Sequence, residues 1–411
     1  MYKRQVVGRY LGSDALAAVG SSYTLMTFLT SIIIGLCMGS GAAISMQYGS
    51  GDSKKMRQSV FMSFCLIAGI SIALNIIVYI GMDFILWALQ IPNEIQAMMR
   101  DYLEIIFLGI TATFLYNYFA NLLRAIGNSV LPLVFLAVSA VLNVVLDLVC
   151  VLVFNWGIKG AAIATVFSEF ISAIGIDIYT FKKFKQLIPE KEDMKWNRNN
   201  LSAILNLSVM TSLQQSIMNF GILMVQGLVN SFGTVIMAAF AVAVKIDSFA
   251  YMPVQDFGNA FSTYVAQNYG AGKQERIRKG IKSAFVTSAI FCAIISLLVI
   301  VFAKPLMCIF INQEETGIIS AGVIYLCIEG SCYIGIGILF LLYGYYRAVN
   351  KPFMSVVLTV ISLGTRVLLA YILSAIPAIG VIGIWVSVPI GWALADITGV
   401  VYYFVKSKKT A

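Results

Sequence analysis

Long apolar runs recur from one end of this chain to the other, and they limit its fold more than any other feature. Residues 134–154 read VFLAVSAVLNVVLDLVCVLVF, and residues 291–302 read FCAIISLLVIVF. Runs of about 20 apolar residues cross a bilayer as helices, because lipid offers no hydrogen-bond partner to exposed backbone. Only 11% of the 411 residues are charged and 60% are hydrophobic. The sequence therefore predicts an all-α polytopic membrane protein.

The composition also excludes several classes of function. The chain has no histidine, which excludes Ser-His-Asp catalysis, histidine metal ligands and histidine proton relays. No nucleophile stands in a pattern with a base, so we expect no enzyme activity and no cofactor. The net charge of +9 does not indicate a nucleic-acid partner, because the basic residues lie in short loops that orient a membrane protein.

Loops rich in Gly, Asn, Pro and charge divide the apolar runs into eleven predicted helices. These helices span residues 15–47, 58–89, 94–122, 129–154, 158–184, 201–228, 234–268, 277–303, 316–346, 353–376 and 381–405. Twenty Lys and Arg residues fall on one side of the membrane and six on the other. Since positive loops face the cytoplasm, we expect a cytoplasmic C-terminus in a bacterial cytoplasmic membrane.

The second half of the chain repeats the first. LGSDALAA at 11–18 matches FGTVIMAA at 232–239, an offset of 221 residues that also relates the Tyr-Gly-x-Gly loops at 48–51 and 269–272. Farther on the offset is 223, and it relates Arg124 to Arg347, Gly157 to Gly380 and Gly160 to Gly383. Such a repeat predicts two helical bundles related by a pseudo-twofold axis along the membrane normal, with substrate bound near the midplane.

One predicted helix lacks a counterpart. The helix at 201–228 precedes the second repeat, and its equivalent would lie before residue 8. We therefore expect twelve helices in the whole protein and interpret the chain as an N-terminally truncated fragment. Residues 1–190 would form an N-terminal lobe of five helices, and residues 191–411 a C-terminal lobe of six. A genuine eleven-helix protein is the alternative.

Two segments carry a family resemblance. They are LLRAIGNSVLPLVFLAVSAVLNVVLDLVCVLVFNWGIKGAAIATV at 122–166 and AVKIDSFAYMPVQDFGNAFSTYVAQNYGAGKQERIRKG at 243–280. In their combination of motifs they resemble the multidrug and toxic compound extrusion (MATE) family. The resemblance covers essentially the whole chain. It implies twelve helices in two lobes and export of amphipathic, often cationic compounds in exchange for Na⁺ or H⁺.

Acidic residues outnumber bases inside the predicted spans, and each is a functional candidate because charge is costly in lipid. Asn143 and Asp147 lie four residues apart on one helix face, and Thr165 lies at matching depth on the next helix, about 10 Å below the outer end. A carboxylate, an amide and a hydroxyl suit Na⁺ or a proton on Asp147. By the resemblance, these positions match the family's N-lobe ion site. The alternative is that they only join helices.

The C-terminal lobe offers a second, looser set of candidates for coupling or substrate binding. Glu329 lies in mid-span and is either a proton or cation group or a structural partner of Arg366 or Lys245. Asp247 and Asp256 lie on a helix that Pro253 is expected to kink, and Gln214 lies early in helix 201–228. No metal site is predicted beyond Na⁺ at Asp147.

The residues and the resemblance together favour a Na⁺- or H⁺-coupled antiporter. It would export small amphipathic or cationic compounds across the bilayer, as a monomer. The alternative is a flippase for lipid-linked oligosaccharides from the same fold superfamily. Such a protein handles anionic pyrophosphate, and the excess of acids in the spans argues against it.

Overall fold

The computed structural model describes residues 11, 13–88 and 93–407, and these residues form helices and connecting turns with no strand. The α-helices in chain order are α1 Ser13–Ser50, α2 Ser53–Ile80, α3 Met82–Ala88, α4 Asn93–Ala125, α5 Val130–Leu148, α6 Gly157–Lys183, α7 Arg198–Asn230, α8 Thr234–Gly270, α9 Gln274–Val301, α10 Ala303–Cys308, α11 Thr316–Gly330, α12 Tyr333–Ala348, α13 Pro352–Ser374 and α14 Ile382–Ser407. The predicted all-α fold is confirmed.

Each predicted helix corresponds to one of these helices or to a broken one. Within the described ranges, nine helices are long and apolar enough to cross a membrane, or ten if α11 and α12 form one span bent by 52°. The helix predicted at 201–228 forms as α7 but is not among the nine, because Asn and Gln residues recur along it. The helix predicted before residue 8 lies outside the described residues.

The internal repeat is visible in the helix boundaries. Adding 221 to the bounds of α2 gives those of α9, and adding 223 to the bounds of α4 gives the start of α11 and the end of α12. The turns match as well: Gly51 and Gly272 have φ of 76° and 69°, and Gly157 and Gly380 have φ of 55° and 54°. These positive φ values favour glycine, which explains why it occurs at both repeats.

By its internal contacts the chain divides into two compact units, Met1–Ser212 and Leu213–Ala411. The division falls inside α7, whereas the lobe boundary expected from the sequence lies in the preceding loop. In the first unit α4 packs against α1, α2 and α6. In the second unit α12 packs against α8 and α9, and α13 packs against α14.

The loop before α7 and the first turn of α7 are held to α1 and α2 by polar contacts. Arg57 donates from Nε to Asp193 Oδ2 at 2.5 Å, and Asn200 donates from Nδ2 to Ser59 Oγ at 2.6 Å. Asn200 also accepts a bond from Gln47 at 2.8 Å. The segment that follows α6 is therefore docked on α1 and α2 rather than extended.

Candidate ion and substrate site

The helix pair α5–α6 positions the predicted N-lobe residues. After Leu148 the α5 helix widens into a π-helical turn, Val149–Val153, a feature that often accompanies functional sites. The chain then reverses, and a Cβ atom at Gly160 would lie 3.0 Å from the Cys150 carbonyl oxygen. Because glycine has no side chain here, α6 can pack closely against the end of α5.

The structure brings Asn143 and Thr165 together. Asn143 donates from Nδ2 to Thr165 Oγ1 at 3.2 Å, and Thr165 Oγ1 lies 3.2 Å from the Ala161 carbonyl. The bond fixes the Asn143 amide with its nitrogen toward Thr165, so that the Asn143 carbonyl oxygen is the group it can offer to a cation.

Asp147 lies one turn from Asn143 on α5, about 6 Å along the helix axis. It is 1% exposed. A buried carboxylate in a membrane helix requires a proton, a cation or strong donors to offset its loss of hydration. Since almost none of the side chain is accessible, a proton or a small ion fits there and a drug-sized molecule does not.

The basic residues of the first unit's described helices stand near helix ends. Arg100 pairs with Asp83, and Lys159 pairs with Asp101 at 3.2 Å between Nζ and Oδ2. Arg124 is the penultimate residue of α4. The middle of these helices therefore carries acids without an accompanying Lys or Arg, which favours exchangeable cations.

The repeat does not duplicate this site in the second unit. At the offset of 223 residues, Asn143 corresponds to Arg366, Asp147 to Ala370 and Thr165 to Val388. Where the first unit has an amide and a carboxylate, the second has a guanidinium and a methyl group. The two units therefore differ in charge at equivalent places.

Instead, the second unit gathers a charged cluster, with Glu329 buried and Asp247 and Arg366 half-buried, at the bend between α11 and α12. Glu329 is 1% exposed, and it interacts electrostatically with Asp247 and Arg366. Asp247 interacts in turn with Tyr333 at the start of α12. In the part of the chain that the structure describes, three buried atoms here have no hydrogen-bond partner: Glu329 Oε1, Asp247 Oδ1 and Arg366 Nε.

The remaining predicted residues do not share one environment. Of the two bases considered as partners for Glu329, Arg366 lies in its cluster, whereas Lys245 is exposed. Asp256 is also exposed, and Gln214 is buried. Tyr333 was not among the predicted residues, because Asp247, with which it interacts, lies on α8 and is distant in the chain.

Comparisons with known proteins agree with the duplicated helical architecture. The MatE family model matches residues 4–149 and 208–372. Probable multidrug resistance protein YpnP of Bacillus subtilis (strain 168) is 30% identical over 358 residues, which are 87% of this chain and 79% of YpnP. YoeA of the same organism, also named a probable multidrug resistance protein, is 28% identical over 417 residues, covering 98% and 89%.

Solved structures share the fold. A crystal structure of a MATE protein in complex with MaL6 aligns with a TM-score of 0.93 at 20% identity, covering 100% of this chain and 92% of that one. An outward-facing MATE transporter of the MOP superfamily aligns with a TM-score of 0.91, covering 98% and 90%.

Repeated bundles of apolar helices with carboxylates in their spans define a multi-pass membrane transporter rather than an enzyme. The family match specifies which kind. The chain belongs to the MatE (MATE) family, as its motifs predicted, and is thus a transporter of the multidrug efflux class that handles small molecules in a membrane.

Proposed function

We propose that this protein is an ion-coupled antiporter that exports amphipathic, often cationic compounds in exchange for Na⁺ or H⁺. The observation that supports this most is the pairing of Asn143 and Thr165 at 3.2 Å beside the buried Asp147. These three residues supply amide, hydroxyl and carboxylate oxygens, the ligands that a hard monovalent cation prefers, and Asp147 can alternatively hold a proton.

Exchange follows because the coupling ion and the substrate favour different conformations of the protein. When a cation or proton neutralises Asp147, the site loses the penalty of a buried charge, and the conformation that encloses it becomes more populated. When the ion leaves, the carboxylate favours a state open to water, in which a positively charged substrate can enter the transporter. Each ligand thus shifts the protein toward a different conformation by its differential affinity.

The charges of the second unit differ from those of the first and make it the weaker candidate for the main coupling site. Arg366 places a permanent positive charge at the position equivalent to Asn143, and Glu329 and Asp247 lie near it. Two carboxylates against one guanidinium leave one negative charge. We therefore assign the main coupling site to the first unit and keep the Glu329 cluster as a second candidate for a proton or a substrate charge. Gln214 and Asp256 remain candidate substrate contacts.

The charges of the loops indicate how the protein is oriented in the membrane. With the more basic loops in the cytoplasm, the C-terminus lies inside a bacterial cytoplasmic membrane. The duplicated bundles bind substrate within one chain, so we propose a monomer as the working unit.

Proteoliposomes test the proposal. The reconstituted transporter should expel a cationic dye when either a Na⁺ gradient or a pH gradient is imposed, and the gradient that works identifies the coupling ion. Asp147→Asn should abolish driven efflux, while the amount of inserted protein stays unchanged.

Glu329→Gln is the matched variant, because it also removes one buried carboxylate. Driven efflux that survives Asp147→Asn and disappears in Glu329→Gln would move the coupling site to the second unit. Efflux that needs neither gradient would refute antiport altogether.

A further inference from the structure

Glu169 is a carboxylate of α6 that the ion site does not use. It lies four residues after Thr165, on the same face of the helix and about 6 Å farther along its axis. Thr113 on α4 donates from Oγ1 to Glu169 Oε2 at 3.3 Å. The carboxylate is thus held between α4 and α6, one turn from the proposed ion site.

The neighbouring helix α4 leaves room for the Glu169 carboxylate. A Cβ atom at Gly109 on α4 would lie 3.2 Å from Glu169 Oε2 and 3.2 Å from a methyl group of Val166. Glycine within a helix costs about 1 kcal/mol relative to alanine, so its presence here has a packing reason. The missing side chain at Gly109 gives the Glu169 carboxylate its space.

The side of α6 that carries Glu169 points away from lipid. The exposed apolar side chains of α6 follow helical spacing along a single stripe: Ile163, Phe167, Ile171, Ile174, Ile178 and Phe181. At 3.6 residues per turn, Thr165 and Glu169 fall on the opposite face. Both are nevertheless half-buried rather than buried. Glu169 is therefore reachable from the interior side of the bundle, whereas Asp147 is closed at 1% exposure.

Apolar side chains lie next to the Glu169 carboxylate. Val166, one turn before Glu169, belongs to a buried apolar cluster that includes Tyr102 and Ile106 of α4, and Phe170 packs against the same cluster. The nearest bases along these helices are distant: Lys159 lies about 15 Å from Glu169 along α6, and Arg124 lies about 16 Å from Thr113 along α4. One negative group beside an apolar wall is complementary to an amphipathic cation.

We propose that Glu169 binds the positively charged group of the transported compound, while Asp147 one turn outward takes the small coupling ion. This inference rests on the proposed antiport function and adds the group that selects the substrate's charge. Accessibility separates the two roles: a closed carboxylate holds an ion, and a half-buried one next to apolar side chains meets an organic cation.

The test compares two probes of nearly the same shape. Methyltriphenylphosphonium carries a positive charge, whereas triphenylphosphine oxide is uncharged, and both present three phenyl rings on a tetrahedral phosphorus. Dissociation constants are measured on the purified transporter. Glu169→Gln keeps the size of the side chain and an acceptor for Thr113. It should weaken binding of the phosphonium at least tenfold and change binding of the oxide less than twofold.

Two further variants make the result specific. Asp101→Asn removes a carboxylate from the exposed outer end of the same helix pair and should leave both constants unchanged, whereas Glu169→Asp keeps the charge and should retain part of the phosphonium affinity. Equal losses for both probes in Glu169→Gln would show a structural role and overturn the inference. An unchanged phosphonium constant, or a wild type that does not bind the phosphonium, would overturn it too.

The same preparations separate this inference from the antiport proposal. If Asp147→Asn abolishes gradient-driven efflux and Glu169→Gln leaves phosphonium binding intact, only the role of Glu169 fails. If Glu169→Gln instead shifts the ion concentration for half-maximal efflux at constant phosphonium affinity, Glu169 belongs to the coupling ion and the inference is wrong. If Asp147→Asn still couples efflux to a gradient, the assignment of the coupling site to Asp147 fails, whatever the result for Glu169.

Discussion

The crossing of α8 and α12 in the second unit offers a sharp test of helix packing. A Cβ atom at Gly344 would lie 2.5 Å from the Gly258 carbonyl oxygen and 3.3 Å from Ser262 Cβ. The same crossing sets Arg347 against α8, where Nη2 donates to Asn259 Oδ1 at 2.9 Å and Nε donates to Ser262 Oγ at 3.3 Å. Gly344→Ala must therefore force the two helices apart at a backbone contact.

The expected free-energy change follows from two opposing terms. Alanine favours the helix over glycine by about 1 kcal/mol. Overpacking a tight contact costs about 1–3 kcal/mol, and backbone atoms relax less than side chains do. Gly364→Ala on α13 is the control, because a Cβ atom there meets nothing within 4 Å. The alanine at 364 should stabilise by about 1 kcal/mol, and the alanine at 344 should be about 1–3 kcal/mol less stable than that control.

Thermal unfolding of both variants in the same detergent measures the difference. For a unit of this size, each kcal/mol corresponds to about 2–4 °C in melting temperature. We expect the Gly364→Ala variant to melt at or above the wild type and the Gly344→Ala variant below it. Equal melting temperatures for the two variants, or a more stable Gly344→Ala protein, would refute the close approach of α8 and α12.

Two further predictions concern polar contacts of the first unit. The buried hydroxyl of Tyr118 donates to the Val60 carbonyl oxygen at 2.7 Å and lies 2.9 Å from Ser63 Oγ. Tyr118→Phe removes this hydroxyl and should lower the free energy of unfolding by about 1–2 kcal/mol. Thermal melting measures the change. The hydrogen bond from Arg57 lowers the pKa of Asp193, so the ion pair should stabilise the protein above about pH 4 and lose this effect as the pH falls further. Asp193→Asn should melt below the wild type at pH 7 and show a smaller loss on acidification; identical pH profiles would contradict this.

Much of the fold could be predicted because its strongest determinant is local. Apolar runs and the glycines of the repeated turns mark the helices, and Gly51 and Gly272 adopt the same left-handed conformation in both units. The bend between α11 and α12 was not predicted, because the equivalent helix α4 runs through without a break. Whether a helix bends at this point depends on its tertiary surroundings, which the sequence pattern does not encode.

The candidate site was predictable where residues share a face and a depth. Asn143 and Thr165 are paired in space because α5 and α6 are adjacent antiparallel helices joined by a short turn. Glu169 lies only one turn beyond, but its significance depends on Gly109 and Thr113 of α4, which are distant in the chain. The contacts of α4 with α6 follow from the tertiary structure, not from either helix alone.

In the proposed mechanism, one exchangeable cation is held at Asp147 and released when substrate binds. The most direct measurement is the amount of cation released per purified transporter, as ²²Na⁺ or as protons according to which gradient drives efflux, when substrate is added. We expect substrate-dependent release from the wild type and none from Asp147→Asn, which still binds substrate. An unchanged release from the Asp147→Asn variant would contradict it.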